Sequence, residues 1–185
     1  MAHRTVFDKD FQILPADYDY DYQANLTARL DKQIAAFDQN IINEIVLWKV
    51  NRYACIDNDT LNIINSIDGN SKKLDKGKTI NILYALLKIK GIGLPTASTI
   101  LRFRNKNVYQ IIDQRVYRII YPDKKLKLPQ YVNDKNLNMQ IELYLKFLID
   151  LTEVCQILQI PFDKSDRILF MADKRINKDY KLDNY

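Results

Sequence analysis

Hydrophobic residues recur along most of the chain at the three-to-four-residue spacing of amphipathic helices. In TINILYALLKI, four apolar positions fall on one helical face: Ile80, Leu83, Tyr84 and Leu87. In NIINEIVLWKVNRYACI, the stretch from Ile45 to Trp48 is apolar nearly all round, which is typical of a buried central helix. Further helical runs are LTARLDKQIAAFDQ, DTLNIINSI, TASTILRFR, DQRVYRII, NLNMQIELYLKFLIDLTEVCQIL and FDKSDRILFMADKRI. The pattern predicts about eight or nine helices packed as a single compact, multi-helix all-α domain.

Capping residues and composition divide the chain into three parts. Asn25, Asp57 and Asp113 are each placed to cap the helix that follows. The tyrosine- and aspartate-rich sequence ADYDYDYQAN favours a partly extended N-terminal arm that packs on the body. We expect this arm, a helical domain and a loose C-terminal tail at residues 1–25, 26–175 and 176–185.

Composition excludes several classes of site. Cys55 and Cys155 cannot supply the four thiolates of an iron–sulfur cluster, and His3 is the one histidine, so no metal site is expected. No stretch is long and apolar enough to predict a transmembrane span. The N-terminal sequence MAHRTVFDKDF lacks the apolar run of a signal peptide, so we expect a cytoplasmic protein.

Basic residues are concentrated in the middle of the chain. Between Lys88 and Lys127 there are ten basic residues and two acidic ones, whereas the whole chain carries a net charge of only +5. A basic stripe that overlaps the glycine-punctuated motif favours a polyanionic partner. A solvated, lysine-rich surface explains the same charge equally well.

The segment KIKGIGLPTASTIL places a two-glycine turn between two helical runs, over residues 84–104. Gly91 and Gly93 can adopt positive φ, so a turn built on them can expose backbone N–H groups. The second helix is expected to begin at Leu94, with Pro95 in its first turn, where a missing N–H costs nothing. Its free N–H groups and positive dipole end attract a phosphate, so the hairpin is suited to grip a nucleic-acid backbone. An ordinary glycine turn between helices is the alternative.

This segment, followed by IIDQRVYRI, resembles the signature of the helix-hairpin-helix DNA glycosylase superfamily (HhH-GPD), which includes endonuclease III. The matching positions are Gly91, Gly93, Thr96, Ala97, Ile112, Asp113, Val116 and Arg118. Asp113 lies 18 residues after Pro95, which is the spacing that the family keeps between a hairpin position and its catalytic aspartate. The ending SDRILFMADKR is also similar to small members of the superfamily.

The resemblance implies a DNA glycosylase in which Asp113 stabilises an oxocarbenium-like sugar and activates water, with the target base flipped out. The family's Schiff-base lysine would fall at Pro95, which implies a monofunctional enzyme without lyase activity. The family's Thr-His after the aspartate is replaced by Gln114 and Arg115, which leaves the geometry of that turn open. A helix cap is the simpler role for Asp113, and both roles are compatible.

The helix around LWKVNRY supplies the candidate base pocket, since the resemblance implies that an early helix lines it. Trp48 and Tyr53 are candidates to stack on a flipped base, and Lys49, Asn51 and Arg52 are candidates to bind its edge. For each of these residues a structural role is the alternative. The aromatic rings would belong to the core, and the cations would lay their aliphatic stems along apolar surface. Lys49 also carries an amine, which can form a Schiff base when it is unprotonated.

Contacts to the DNA backbone are expected from the hairpin and from arginines near it: Gly91, Ile92, Gly93, Thr96, Arg102, Arg115 and Arg118. No cofactor is expected, although the resemblance allows a monovalent cation at the hairpin carbonyls. DNA is the expected partner, no membrane is expected, and a monomer is favoured although the sequence does not fix the oligomeric state. A non-catalytic helix-hairpin-helix DNA-binding module and a helical protein–protein adaptor stay open, and only the adaptor predicts no salt-dependent DNA affinity.

Overall fold

The computed structural model describes residues 4–20, 24–50, 56–89, 91–122, 124–129 and 132–182, apart from the side chains of Asn25 and Val50. These residues form eight α-helices and no β-strand. In chain order the helices are α1 (Ala24–Asp31), α2 (Gln39–Val50), α3 (Asn58–Asn65), α4 (Lys76–Leu87), α5 (Leu94–Arg104), α6 (Gln114–Ile120), α7 (Asp134–Leu158) and α8 (Ser165–Ile176). Short 3-10 helices cover Pro15–Tyr18 and Phe162–Lys164. The all-α class predicted from the periodicity is confirmed.

Asparagine and aspartate side chains set where several helices begin. Asp57 accepts a hydrogen bond from the backbone N–H of Thr60 at 2.7 Å, at the start of α3. Asp75 accepts one from the N–H of Lys78 at 2.9 Å before α4, and Asn133 caps α7 in the same manner. These side chains satisfy N–H groups that the first turn of a helix leaves without an intrahelical acceptor.

Helix α1 is shorter than the pattern of residues 26–39 predicts. It ends at Asp31, and the chain leaves it through two tight turns, in which Lys32 and Gln33 each donate a backbone hydrogen bond at 3.2 Å to the carbonyl three residues back. The Asp31 carboxylate pairs with Arg102 of α5 and Arg167 of α8. These tertiary ion pairs hold the end of α1 against the body, so they override the local helical periodicity.

The core is built around the helical hairpin of α4 and α5. Helix α7 packs against α4, α2 packs against α5, and α6 packs against α8. Each of these helices contributes a side chain with no exposed surface, and examples are Ile45, Leu83, Ile100, Ile119, Leu151 and Leu169. The continuous apolar core fixes α2, α5, α6 and α8 relative to one another, and residues on or beside α2, α6 and α8 line the cavity described below.

The described part of the N-terminal arm lies against α6 and α8. The N–H of Val6 donates to the carbonyl of Ile119 at 2.8 Å. Arg175 donates from Nε to Asp17, whose side chain is almost completely buried, at 2.9 Å. These contacts bring Tyr20, at the end of this part of the arm, to the edge of the helical body.

Cys155 of α7 is buried, as expected for a reduced structural cysteine. Burial raises the pKa of its thiol to about 11, so the thiol stays protonated near neutral pH. Cys55 lies outside the described residues.

Candidate active site

A cavity of about 210 Å³ lies where α2, α8, the start of α6 and the N-terminal arm meet. Its lining residues come from four separate parts of the chain: Tyr20, Trp48, Lys49, Ile111, Asp113, Asp166, Arg167 and Phe170. The cavity therefore brings together three residues predicted from the sequence to form the site: Trp48 and Lys49 of the base pocket, and the catalytic candidate Asp113.

The position of Asp113 is fixed by its own helix and by the helices behind it. Its Oδ1 atom accepts a hydrogen bond from the N–H of Val116 at 2.9 Å, which makes it the N-cap of α6. The preceding residue, Ile112, donates its N–H to Oγ of Ser98 in α5 at 3.2 Å. Tyr144 of α7 holds the same segment through a 2.9 Å hydrogen bond to the carbonyl of residue 110. The carboxylate is thus held on a rigid support.

Burial and a neighbouring amine act in opposite directions on the Asp113 carboxyl. Nζ of Lys49 lies 4.0 Å from Oδ2 of Asp113, and the two side chains are only 19% and 18% exposed. Burial raises the pKa of Asp113, and the charge of Asp166 adds to this, whereas Lys49 and the capping hydrogen bond from Val116 lower it. Burial prevails, so the pKa of Asp113 lies above its ordinary value of 3.8.

Aromatic side chains form the apolar walls of the cavity. Trp48 donates from Nε1 to Oγ1 of Thr27 at 2.7 Å and meets Phe103 edge to face, with ring centroids 5.4 Å apart. Tyr20 and Phe170 also meet edge to face, with centroids 6.1 Å apart. The hydrogen bond and the two ring contacts restrict the rings, so the cavity presents fixed aromatic surfaces rather than adaptable ones.

A buried charge cluster lies beside these walls. Arg102, whose side chain is 1% exposed, donates to Asp31, and its Nε lies 3.5 Å from Oδ2 of Asp166. Arg167 also donates to both carboxylate oxygens of Asp31. Burial acts to raise the pKa of Asp31, but hydrogen bonds and charges from the two arginines outweigh it and hold that pKa below its ordinary value. The cluster joins α1, α5 and α8.

The arginines predicted to bind phosphates are used inside the protein. Arg102 is buried in the cluster just described, so its guanidinium has no route to a phosphate. Arg118 donates from Nε to the fully buried Asp173 at 2.7 Å, and Arg115 pairs with the same carboxylate at 3.1 Å. These pairs brace α6 against α8. The basic stripe therefore reflects internal ion pairing at these three positions, and none of the three is carried into the functional proposal below.

The hairpin turn uses its two glycines differently. Gly91 has φ of +90° and is exposed, and no atom lies within 4 Å of where a Cβ would be, so its backbone conformation is what favours glycine there. Gly93 has φ of −93° and ψ of 176°, which corrects the expectation of a second positive φ, and it is the N-cap of α5. Ile92 and Thr96 are buried, so at both positions only backbone atoms are suited to meet a ligand.

Three candidate pocket residues, Asn51, Arg52 and Tyr53, lie outside the described residues. In the parts of the chain that the structure describes, no group of three His, Cys, Asp or Glu side chains is arranged to hold a metal ion. Nor does any described helix have the length and apolar character needed to cross a membrane.

Five cavity residues were not assigned to the site from the sequence: Tyr20, Ile111, Asp166, Arg167 and Phe170. Their numbers are far apart, and no local spacing joins the N-terminal arm to α8. A signal for three of them was the segment SDRILFMADKR, which was expected to resemble small family members and which contains Asp166, Arg167 and Phe170.

Comparison of the chain with protein-family models, with curated proteins and with solved structures gave no match. A functional proposal therefore depends on the residues of the signature and on the geometry of the cavity.

Proposed function

We propose that the protein is a monofunctional DNA glycosylase of the helix-hairpin-helix type, which removes a damaged or modified base from DNA. The observation that carries the proposal is the place of Asp113. The aspartate at the family's spacing from the hairpin lines a small cavity with both aromatic and charged walls, and a lysine amine lies 4.0 Å from its carboxylate. A role as helix cap explains the carboxylate at the start of α6, but it does not explain the cavity in front of it.

In the proposed reaction, the flipped base occupies the cavity and the bond from C1′ of its sugar to the base nitrogen breaks. The bonding electron pair leaves with the base, which takes up a proton. Asp113 stabilises the positive charge that develops on the sugar, and it accepts a proton from the water molecule whose oxygen bonds to C1′. The products are a free base and an abasic site in an intact strand. Repair of damaged DNA and removal of modified bases from invading DNA use the same chemistry.

Burial and Lys49 suit Asp113 to this step. A carboxyl whose pKa is raised by burial is a stronger base than an exposed one. The charge of Lys49 opposes the effect of burial and so favours the ionised form that the reaction requires. Lys49 thus supports the proposal as an electrostatic partner, without forming a bond to the sugar.

The hairpin supports the proposal as a grip on the DNA backbone. Gly93 has no side chain to cap α5, so N–H groups in the first turn of this 11-residue helix are suited to donate hydrogen bonds to a phosphate. The hydrogen bond from Ile112 to Ser98 links an early turn of α5 to the residue before Asp113. A strand held at the hairpin would therefore lie near the cavity.

A non-catalytic DNA-binding module is the second candidate. Its support is that Asp113 already has a complete structural role, because its hydrogen bond to Val116 caps α6. Pro95 at the family's lysine position is compatible with both candidates.

The proposal is tested by incubating the protein with duplex and single-stranded oligonucleotides that each carry one natural, damaged or modified base. Strand cleavage is read with and without hot alkali. We expect alkali-dependent cleavage at one class of base, because hydrolysis leaves an intact strand with an abasic site. Cleavage without alkali would show that an amine forms a Schiff base with the sugar and breaks the strand, and Lys49 would be the first candidate. Salt-dependent binding without cleavage on any substrate would overturn the glycosylase proposal in favour of the binding module.

A further inference from the structure

One aromatic wall of the cavity belongs to the N-terminal arm rather than to the helical body. Tyr20, at the end of the described part of the arm, lines the cavity and is half-buried. Trp48, which was predicted to stack on the base, is only 2% exposed, and its ring is held by Thr27 and Phe103. Tyr20 and the half-buried Phe170 therefore offer more open aromatic surface to a ligand than Trp48 does.

Two side chains of α8 hold the ring of Tyr20. Phe170 meets it edge to face, and the guanidinium carbon of Arg167 lies over it, 5.3 Å from the ring centroid. Such a contact between a cation and an aromatic face is attractive. Arg167 is itself fixed, because it donates hydrogen bonds to both carboxylate oxygens of Asp31. The ring is thus supported in one orientation at the edge of the cavity.

A buried ion pair attaches the arm to the other end of α8. The side chain of Asp17 is 3% exposed, and it accepts hydrogen bonds from Nε and Nη2 of Arg175 at 2.9 and 2.7 Å. Arg175 also donates to the carbonyl of Gln12 at 2.5 Å. Neither Asp17 nor Arg175 is among the described residues that line the cavity. This pair therefore acts on the cavity only through the position of the arm.

The ion pair and the ring are too close along the chain to move independently. Tyr20 follows Asp17 by three residues, which reach at most about 10 Å. On α8, Phe170 precedes Arg175 by five residues, or about 7.5 Å along the helix axis. Pairing of Asp17 with Arg175 therefore restricts the ring of Tyr20 to the part of α8 that borders the cavity. Without this pair, the arm has one attachment fewer to hold the ring there.

We propose that the N-terminal arm is part of the base pocket. Tyr20 supplies an aromatic surface on which the extruded base stacks, and the ion pair of Asp17 and Arg175 positions that surface. The proposal rests on the proposed function, and it names the element of the chain that controls base binding at the same site. Every base has an aromatic face, so this contact contributes to affinity rather than to the choice of base.

The test compares variants of the full chain. Tyr20→Ala removes the ring, Tyr20→Phe keeps it, and Arg175→Met removes the ion pair with Asp17. Tyr18→Ala is the control for the ring, because Tyr18 belongs to the same arm but is 52% exposed. Asp10→Asn is the control for the ion pair, because Asp10 forms an exposed pair within the arm. Thermal melting checks that each variant is folded.

Two DNA probes separate base binding from backbone binding. One is the oligonucleotide of the excision assay that the wild-type protein binds most tightly. The other has the same sequence with a tetrahydrofuran residue, which is a sugar without a base, at the target position. Single-turnover excision at increasing protein concentration gives the half-saturating concentration and the maximal rate separately. Acrylamide quenching of Trp48, the one tryptophan of the chain, measures without DNA whether the arm covers the cavity.

We expect Tyr20→Ala and Arg175→Met to weaken binding of the base-bearing probe by about 10- to 100-fold, the range for stacking of one base on an aromatic side chain. Binding of the tetrahydrofuran probe should change little. The half-saturating concentration should rise while the maximal rate is kept, because stacking is lost equally from the bound substrate and the transition state. Acrylamide should quench Trp48 more strongly in both variants. Tyr20→Phe and the two controls should behave as the wild-type protein.

The two proposals fail in different ways. Selective loss of affinity for the base-bearing probe, in a protein that excises no base, would support the role of the arm and contradict only the proposed chemistry. Wild-type affinity in Tyr20→Ala and Arg175→Met, or an equal loss on both probes, would overturn the role of the arm even if bases are excised. If Arg175→Met does not fold, the comparison of Tyr20→Ala with Tyr20→Phe still decides. A wild-type protein whose affinity never depends on the base would contradict both proposals.

Discussion

Two aspartates in this chain cap helices in the same way but lie in different surroundings. Asp57 accepts a hydrogen bond from the backbone N–H of Thr60 at 2.7 Å, and Asp113 accepts one from that of Val116 at 2.9 Å. Both cap residues have extended backbone conformations, and both hydrogen bonds span three residues. Local geometry alone gives no reason to treat one of them as a functional residue.

The different surroundings shift the pKa values of the two carboxyls in opposite directions. Hydrogen bonds with Thr60 hold the pKa of the exposed Asp57 below its ordinary value of 3.8. At Asp113, burial beside a cavity outweighs Lys49 and the capping hydrogen bond, so the pKa is raised. The comparison shows that a capping residue becomes a candidate for chemistry through burial, a nearby charge and an adjacent cavity, rather than through its position in the helix.

The largest expected effect is a loss of folding stability when Arg102, the cation of the ion-pair cluster beside the cavity, is replaced. Arg102→Met leaves Asp31 and Asp166 with less charge compensation, and breaking a buried pair in this way typically costs about 3–5 kcal/mol. Each kcal/mol should lower Tm by roughly 2–4 °C for a chain of this size.

Arg29→Met is the matched control, because Arg29 pairs with Glu44 at 2.7 Å but is 60% exposed. Such exposed pairs contribute about 0–1 kcal/mol. Thermal unfolding followed by circular dichroism measures both variants. Equal, small changes in Tm would contradict the buried ion-pair cluster.

A smaller effect on folding stability is expected from removing the charge of either capping aspartate. Its dependence on pH should have opposite signs at Asp57 and Asp113. Asparagine keeps the capping oxygen, so Asp57→Asn and Asp113→Asn mainly remove the charge. The lowered pKa of Asp57 means that its carboxylate stabilises the fold above pH 3.8, and this contribution is lost as pH falls through the lowered pKa. The raised pKa of Asp113 has the opposite sign, because the wild-type protein loses stability relative to Asp113→Asn as pH rises through the raised pKa.

Melting curves over a range of pH test this difference in sign. From acid to neutral pH, the difference in Tm between wild-type protein and variant should move in favour of the wild type for Asp57. It should move in favour of the variant for Asp113. Parallel trends for the two positions would contradict the raised pKa of Asp113.

The smallest effect concerns Lys49. The positive charge of Lys49 lowers the pKa of Asp113, so Lys49→Gln should raise that pKa further. If Asp113 must be ionised to remove the base, the acid limb of the pH–rate profile for excision moves to higher pH in the variant. Lys106→Gln, which alters an amine 3.8 Å from Asp163, is the control and should leave the profile unchanged. Complete loss of activity in Lys49→Gln at every pH would instead indicate that the amine takes part in bond formation.

The sequence predicted the features whose causes are local. The cap at Asp113, the turn at Gly91 and the start of α5 at Leu94 each depend on residues within a few positions of one another. The buried Trp48 also followed from the apolar periodicity around it. These elements are what carried the resemblance and the candidate catalytic position.

The remaining features depend on pairs that are distant in sequence. Arg102 was expected at the surface because a count of basic residues does not show which ones have buried partners, and Asp31 lies 71 positions before it. Asp173, which holds Arg118, is 55 positions after it. Tyr20 is brought to the cavity by packing of the N-terminal arm, and no pattern in the sequence near it predicts that contact.

The most direct test of the central claim is the rate of base excision by Asp113→Asn and Asp57→Asn under single-turnover conditions. The substrate is whichever duplex or single strand the wild-type protein removes a base from. Both variants keep a capping oxygen, so both should stay folded and bind DNA. Because Asp113 alone is proposed to stabilise the developing positive charge, its variant should lose about 10²–10³-fold in rate, in line with the removal of one electrostatic stabiliser from an active site. Asp57→Asn should excise the base at the wild-type rate. Equal rates for the two variants would contradict the account, and Asp113 would then be a helix cap and no more.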